Sequence, residues 1–413
     1  MKNSNYSSQS RWIRGVLTAV VLVPVGMFLW RGCQPTVPRQ QVLADGEVRN
    51  PASAGAKYPS LAADGAGGWV MSWTLAVDEG IDAVMVSRMD SSGRWSEPQG
   101  VVVAPDLFVN WADFPTVAVS APGGLGDQAG GPGVRSGDEE YGAAVSWLKR
   151  HPSGGTYAYD VQISMQDSDR GAWSPPVTPH RDGTPTEHGF VSMQPLPGAS
   201  GGVLAMWLDG RMMAGHGAEE DGEHASSGAM MLRSAEIDRS GRLAGEQVID
   251  AMVCECCQTD MTRLLDGRYM AVYRGRTPEE VRDTRAAFYE PSSGRWSDPV
   301  LVHNDGWTIG GCPVNGPAAA STDRGHAGVL WYTEADTIPS VRFALLRNGS
   351  GEPSFTAPIA LETPAARMAG RVDLAAHGDR YFALWTEYYR HPGIEAATGL
   401  ATVKLASIDV SSG

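Results

Sequence analysis

Val70-Met-Ser-Trp73-Thr74 is the stretch on which the fold turns, because the chain repeats its pattern five more times. An apolar run closing on an aromatic residue recurs as AAVSW ending at Trp147, VLAMW at Trp207, MAVYR with Tyr273, GVLWY with Trp331 and FALWT with Trp385. Upstream of each lies another apolar segment: YPSLAA from Tyr58, FPTVAV from Phe114, FVSMQPL from Phe190, CQTDMTRLL from Cys257, GPAAAS from Gly316 and RVDLAA from Arg371. Small and apolar residues alternate there, as in strands that pack face to face near a common axis. The spacing is roughly 55 to 75 residues, too long and too uneven for a solenoid, and no stretch carries a 3.6-residue period. An all-β, six-bladed β-propeller is the architecture these repeats predict.

A second landmark keeps the same period. Trp95-Ser-Glu-Pro98, Trp173-Ser-Pro-Pro176, Trp296-Ser-Asp-Pro299 and Phe355-Thr-Ala-Pro358 share an aromatic, a hydroxyl, any residue and a proline. Gly93, Gly171 and Gly294 precede three of them, with Asp90 and Asp169 before two, and the third repeat keeps Asp238 and Gly241. The pattern resembles the Asp box of the sialidase or BNR-repeat families. That resemblance implies a hairpin between third and fourth strands, on the outer rim and away from chemistry. Residues 121–139 and 209–228, rich in Gly or in Gly, Met, His and acids, read as loops grafted onto this frame.

Thirty-three basic residues against 47 acidic ones give a net charge of −14. Such a surface repels phosphate backbones, which argues against a nucleic-acid partner. The N-terminus carries a targeting pattern: Lys2, Arg11 and Arg14 precede an apolar run from Gly15 to Trp30, and Arg31 closes it. With Trp12 and Ile13 extending it, the run approaches the roughly 20 residues of a spanning helix. We therefore expect residues 1–33 to form a cytoplasmic stub and an N-terminal transmembrane signal anchor, with its positive end inside. Residues 34–57, with Pro35, Pro38 and Pro51, read as a linker, and 58–413 as the propeller, held on the periplasmic side of the inner membrane in the cell envelope. Cys33, after Gly32, offers lipidation as the alternative anchor.

In a propeller the innermost strand runs down from the ligand face and the second strand returns to it. Starts of first strands and ends of second strands therefore converge on one mouth. That rule gathers Asp113, Asp209, Arg211, Arg274, Arg276, Arg282, Asp283, Glu334, Arg371, Asp373 and Glu387, with the segments 254–260 and 307–315, including Trp307 and Asn315. Arginines facing carboxylates suit an anionic or hydroxyl-rich ligand, such as a glycan, a small molecule or an envelope protein. The same charges equally suit ion pairs across blades.

Cys254-Glu-Cys256-Cys257-Gln258-Thr259 and Trp307-Thr-Ile-Gly-Gly-Cys312-Pro313-Val-Asn315-Gly316 both stand where an innermost strand begins, in adjacent repeats. Among the propeller's cysteines only Cys312 is distant, so one of Cys254, Cys256 and Cys257 is expected to bridge to it outside the cytoplasm. The other two pair locally, remain thiols, bind metal or reach Cys33. A bridge between the adjacent Cys256 and Cys257 closes a minimal, strained loop. The alternative is a soft metal, copper or zinc, with Met212, Met213, His216, His224, Met230 and Met231 nearby in sequence.

Together the repeats, the CxCCQT segment and the WxIxxCPVNGP segment resemble a bacterial subgroup of exported sialidase-like BNR-repeat proteins, over nearly all of 58–410. The resemblance implies exo-α-sialidase chemistry: three arginines on the substrate carboxylate, a tyrosine–glutamate nucleophile pair and an aspartate acid/base. The first arginine's motif falls on Ala56-Lys57-Tyr58-Pro59, where no arginine stands and Lys57 supplies only a point charge. By position, Arg274, Arg276 and Arg371 would clamp the carboxylate, Asp113 would be the acid/base, and Tyr388 beside Glu387 the nucleophile pair. The missing arginine favours a non-hydrolytic propeller that binds a ligand, partner or soft metal beside its cysteines. A glycoside hydrolase acting on sialic-acid-like or other acidic sugars is the alternative.

Overall fold

The structure is a computed structural model that describes residues 48–65, 67–119, 142–166, 171–197, 202–214, 228–347, 351–361, 367–389 and 400–411. Six antiparallel sheets follow one another along these residues. The first holds β1 (Lys57–Ala63), β2 (Trp69–Asp78), β3 (Ile81–Met89) and β4 (Gln99–Ala104); the second holds β5 (Val117–Val119), β6 (Ala143–Arg150) and β7 (Tyr159–Met165). Next come β8 (His188–Pro195), β9 (Val203–Asp209), β10 (Met231–Ile237) and β11 (Leu243–Asp250). The fourth sheet is β12 (Asp260–Arg263), β13 (Tyr269–Arg274), β14 (Thr284–Glu290), β15 (Arg295–Trp296) and β16 (Val300–Leu301). The fifth is β17 (Ala318–Ser321), β18 (Ala327–Thr333), β19 (Ser340–Leu345) and β20 (Ile359–Ala360), and the sixth β21 (Arg367–His377), β22 (Arg380–Tyr389) and β23 (Leu400–Asp409).

Radial order follows from two observations. Each first strand touches the next sheet's first strand, β1 with β5, β5 with β8, β8 with β12, β12 with β17 and β17 with β21. All six also line one central cavity of about 720 Å³, through residues within 59–65, 114–119, 191–195, 258–260, 316–318 and 371–373. This is the channel of a propeller. β1, β8 and β21 bend alike at its mouth. Their register slips at Lys57/Ser60, Gly189/Ser192 and Gly370/Asp373, around Tyr58, Phe190 and Arg371, whose φ values are 56°, 52° and 54°. Such bulges turn a strand and re-aim its side chains.

Why the aromatics recur every repeat is a packing matter. Side chains alternate faces along a strand, so a sheet wedged between two others buries both of its faces. In β9, Ala205 and Trp207 join the apolar cluster with the second sheet, while Leu204, Met206 and Leu208 join the cluster with the fourth. Each second-strand aromatic from the second sheet onward packs back onto the preceding sheet. Trp147 shares an apolar cluster with Val70 and Val84, Trp207 with Val161, Tyr273 with Met206, Trp331 with Val272 and Trp385 with Leu330. All are 5% exposed or less. Several pin their polar edge as well: Trp207 Nε1 donates to Asp209 (2.8 Å), Trp331 Nε1 to Asp305 (2.7 Å) and Trp385 Nε1 to Glu387 (3.0 Å).

The rim hairpins also repeat. The hydroxyls of Ser96, Ser174, Ser297 and Thr356 accept the N–H of Arg88, Met165, Phe288 and Leu345 on the third strands. Asp90 accepts the N–H groups of Ser92 and Arg94, and Asp238 those of Ser240 and Arg242. Hydrogen bonds from Ser92 and Ser240 respectively lead in pulling these two carboxyls down to about 2. Glu290 and Asp409 cap equivalent turns through Ser292 and Ser411. Asp169 lies outside the described residues.

One expectation requires correction. A spanning helix needs roughly 20 apolar residues, whereas the helices among the described residues are two three-residue 3-10 turns, Arg211–Met213 and Ala335–Thr337. No helix among the described residues is long and apolar enough to cross a membrane. The N-terminal transmembrane helix is therefore not part of the observed fold, and residues 1–33, on which it was placed, lie outside the described residues.

Trp207, 0% exposed, fills the junction between the second and third sheets. Trp207→Ala is expected to cost about 3–5 kcal/mol through cavity formation and to strand the Asp209 contact. A lowered denaturation midpoint in urea checks this; an unchanged midpoint would deny the aromatic its place in the core.

Candidate binding site at the channel mouth

The two cysteine segments gathered from sequence, 254–260 and 307–315, meet where β12 and β17 enter the channel. Cys256 and Cys312 form a disulfide across 56 residues, with Cα atoms 6.0 Å apart, so the long-range bridge falls on the middle cysteine. Cys254 and Cys257 are thiols, 1% and 2% exposed. Cys254 Sγ lies 2.9 Å from Cys257 Sγ and 3.9 Å from Cys256 Sγ. The three sulfurs of residues 254, 256 and 257 lie within 4.8 Å of one another.

The arginines stand beside the sulfurs but are internally committed. Arg274, 2% exposed, donates Nε to the carbonyl of Asn315 (2.9 Å), Nη1 to that of Arg282 (2.6 Å) and Nη2 to that of Tyr332 (2.7 Å). The Trp307 ring lies 4.7 Å from its guanidinium. Arg282 donates to Glu255 (2.7 Å), Glu280 (2.8 Å) and Cys254 Sγ (3.3 Å). Arg276 pairs with the same two glutamates. The Cys257 hydrogen bond, the Cys256 backbone and the nearby charges of Arg274 and Arg282 hold the Cys254 thiol below the usual thiol range; burial pushes Cys257 up.

Three other expected residues complete this face. Asn315, 8% exposed, accepts the Arg371 N–H (2.9 Å) on its side chain, and a Cβ on Gly370 would stand 1.9 Å from that oxygen. Only glycine allows that approach. Arg371 lines the cavity with its guanidinium 4.6 Å from the Trp111 ring, donating to the Trp111 carbonyl (3.1 Å). Asp373 lines the cavity beside Asp260, whose carboxyl burial pushes up to about 7.

Asp113 belongs to a neighbouring buried set. The Tyr159 hydroxyl contacts Asp113 (3.2 Å) and Glu187. It owns one proton and so donates to one carboxylate; the other contact requires a protonated acid. Burial pushes Asp113 from its ordinary 3.8 up to about 8 and Glu187 up to about 7, the latter with help from the charge of Glu255. Burial and both carboxyls hold the Tyr159 phenol far above its ordinary range. A chain from Asp113 OH to Tyr159 OH to the Glu187 carboxylate satisfies all three.

The remaining expected residues lie elsewhere. Arg211 is bound to Asp209 and Glu246, beside His188 and Asp182. Glu387, 0% exposed, is held by Trp385 and by Lys404 (3.4 Å), while the Tyr388 side chain lies outside the described residues. Glu334 is exposed, and its carboxylate accepts from the Tyr332 hydroxyl at 3.5 Å. Met230 and Met231 are core residues, Met212 and Met213 are exposed, and His216 and His224 lie outside the described residues.

Sequence reasoning missed Tyr159, Glu187 and Glu280. Glu187 immediately precedes β8, the position that singled out Asp113 before β5, so that signal was present. It also missed the stacked imidazoles of His180 and His188, 3.8 Å between centroids, with Asp182 reaching both. Asp160 with these histidines, and Asp182 with His188 and Asp209, have ligand atoms within 4.8 Å. There Arg211 already supplies positive charge, and burial, then the charge of His188, lowers His180 to about 4.

No family model matches the chain, and no curated protein matches it. Solved structures with which it aligns include a mutant of the NanB sialidase from Streptococcus pneumoniae, at 10% identity and TM-score 0.45, over 84% of this chain and 67% of that one. Another is the intramolecular trans-sialidase from Ruminococcus gnavus, at 11% identity and TM-score 0.47, over 86% and 94%. A third is a Dyadobacter fermentans protein of unknown function, at 11% identity and TM-score 0.48, over 86% and 94%.

The buried acid predicts a pH dependence. Between pH 3.8 and about 8 the folded chain keeps the Asp113 proton that the unfolded chain releases. Unfolding then loses protons, so this group's contribution is fully present below pH 3.8 and is lost as pH rises toward 8. Asn mimics the protonated acid. Thermal melts of Asp113→Asn should therefore fall less between pH 5 and pH 8 than those of the parent protein; parallel curves would show that Asp113 is ionised when folded.

Proposed function

We propose that the chain is a six-bladed, sialidase-like propeller of the non-hydrolytic kind, whose channel mouth binds a soft metal ion. The observation that carries this reading is the division of labour beside the channel. Of the three arginines that would grip a sugar carboxylate, Arg274 is spent on backbone carbonyls and Arg276 on Glu255 and Glu280, while thiols converge next to them.

Thiolates select soft ions. With Cys256 bridged, Cys254 and Cys257 offer two sulfurs, which suits copper(I) better than zinc, for which four ligands are the rule. The guanidinium of Arg282 would balance the excess negative charge of two thiolates on a monovalent ion. The disulfide supports an oxidising, extracytoplasmic setting.

A hydrolase reading draws on one observation, the contact of Tyr159 with Glu187 and Asp113, which are the residue types of sialidase chemistry. Against it stand the 1% exposure of Tyr159 and the direction of its shift, since a nucleophilic phenol must surrender its proton readily.

The test pairs metal binding with catalysis. Metal-free protein titrated with copper(I) under anaerobic, mildly reducing conditions is expected to take up one ion per chain. Cys254→Ser combined with Cys257→Ser should abolish uptake, and no preparation should cleave a fluorogenic sialoside. Sialoside cleavage that disappears in Asp113→Asn, with no copper retained, would replace this reading by the hydrolase.

A further inference from the structure

The four sulfurs at the mouth differ in place as well as in oxidation state. Cys312 is exposed and bonded to half-buried Cys256. Behind them, Cys254 and Cys257 are buried thiols with the C-x-x-C spacing. Cys254 stands between the two pairs, 2.9 Å from its thiol partner and 3.9 Å from the disulfide sulfur of Cys256. The sulfurs thus form a file from surface to interior: Cys312, Cys256, Cys254, Cys257. Arg282 donates to the Cys254 sulfur at 3.3 Å, which stabilises it as a thiolate, the attacking form in disulfide exchange.

We propose that these four cysteines form a thiol–disulfide relay, which moves a disulfide between the exposed and the buried pair and reduces the disulfide of a second molecule through Cys312. The Cys254 thiolate attacks Cys256 Sγ. The Cys254–Cys256 bond forms, the Cys256–Cys312 bond breaks, and Cys312 leaves as a thiolate with the electron pair. The Cys257 thiolate then attacks Cys254 Sγ, forming Cys254–Cys257 and releasing Cys256 as a thiolate. Two electrons have passed from the buried pair to the exposed pair, and the protons shed by Cys254 and Cys257 are balanced by those taken up at Cys256 and Cys312. No outside oxidant or reductant enters this internal step.

Cys312 next attacks a substrate disulfide. The resulting mixed disulfide is resolved by Cys256, which restores the Cys256–Cys312 bridge and releases the substrate as a dithiol. An external dithiol then reduces the exposed Cys256–Cys312 bridge, and the internal exchange run in reverse passes those electrons to Cys254–Cys257, which restores the buried thiols and closes the cycle. The substrate class is therefore an accessible disulfide on a protein or small molecule. Neither Asp113 nor Tyr159 takes part.

This inference stands on the sulfur positions and not on metal binding. A copper ion on Cys254 and Cys257 would hold them out of exchange, so the test uses chelator-treated, full-length protein. Native protein is incubated with iodoacetamide for hours, then denatured, and remaining thiols receive an isotopically distinct alkylating reagent before peptide mapping. Alkylation is irreversible, so a rare isomer accumulates. First-reagent label is expected on Cys312, in molecules that carry a Cys254–Cys257 bridge.

Cys254→Ser should cut the Cys312 label severalfold and retain only the Cys256–Cys312 bridge. Cys257→Ser should stall at Cys254–Cys256, with Cys312 labelled. A parent protein that yields only the Cys256–Cys312 bridge, with Cys312 unlabelled, overturns the relay whether or not the variants fold. Label on Cys312 in a protein that binds no copper would sustain the relay and remove the metal reading; copper uptake without that label would do the reverse.

Discussion

A buried guanidinium governs the channel mouth. Arg274 closes β13 at 2% exposure, and the hydrogen bonds described for it run to three carbonyl oxygens, those of Asn315, Arg282 and Tyr332. A charge withdrawn from water is costly unless its donors are satisfied, so each carbonyl must be held where the fork can reach it. Those three residues lie on the loop between β13 and β14, the loop before β17, and β18 of the next sheet. One side chain therefore fixes two adjacent sheets and the segments that carry the sulfurs.

The chemistry of the mouth follows from that constraint. Asn315, anchored through its carbonyl, presents its N–H to Cys257 and its side chain to Arg371. Arg282, anchored likewise, carries its own guanidinium to Cys254, Glu255 and Glu280. Gln258 adds a tie across the channel, donating to the Ala112 carbonyl (2.6 Å) and accepting from the Gly316 N–H (3.3 Å). Arg274 and Arg282 thus serve to position thiols, and the two glutamates neutralise Arg276 and Arg282.

The fold was legible in the sequence because burial imposes a period. An aromatic must close each sheet against the one before it, so Trp147, Trp207, Tyr273, Trp331 and Trp385 recur whatever else changes. The rim turns were legible where Asp90 and Asp238 keep the same spacing to Ser92 and Ser240, and hidden where Glu290 serves instead, its longer side chain reaching the same N–H position. That the cysteine segments are neighbours was legible too, since adjacent first strands begin side by side. The partners of the arginines were not. Arg274 bonds to backbone carbonyls, which every residue offers, and Glu280 reaches Arg276 and Arg282 only through a loop conformation that no spacing announces. The N-terminal apolar run lies outside the described residues, among which no helix is long and apolar enough to cross a membrane.

The most direct measurement is X-ray absorption at the copper edge of protein loaded with one equivalent of copper(I). A first shell made of sulfur alone is expected, and it should vanish when Cys254 and Cys257 are both replaced by serine. A shell of nitrogen and oxygen, as the Asp160, His180 and His188 group would supply, would contradict the assignment of the thiols as the site.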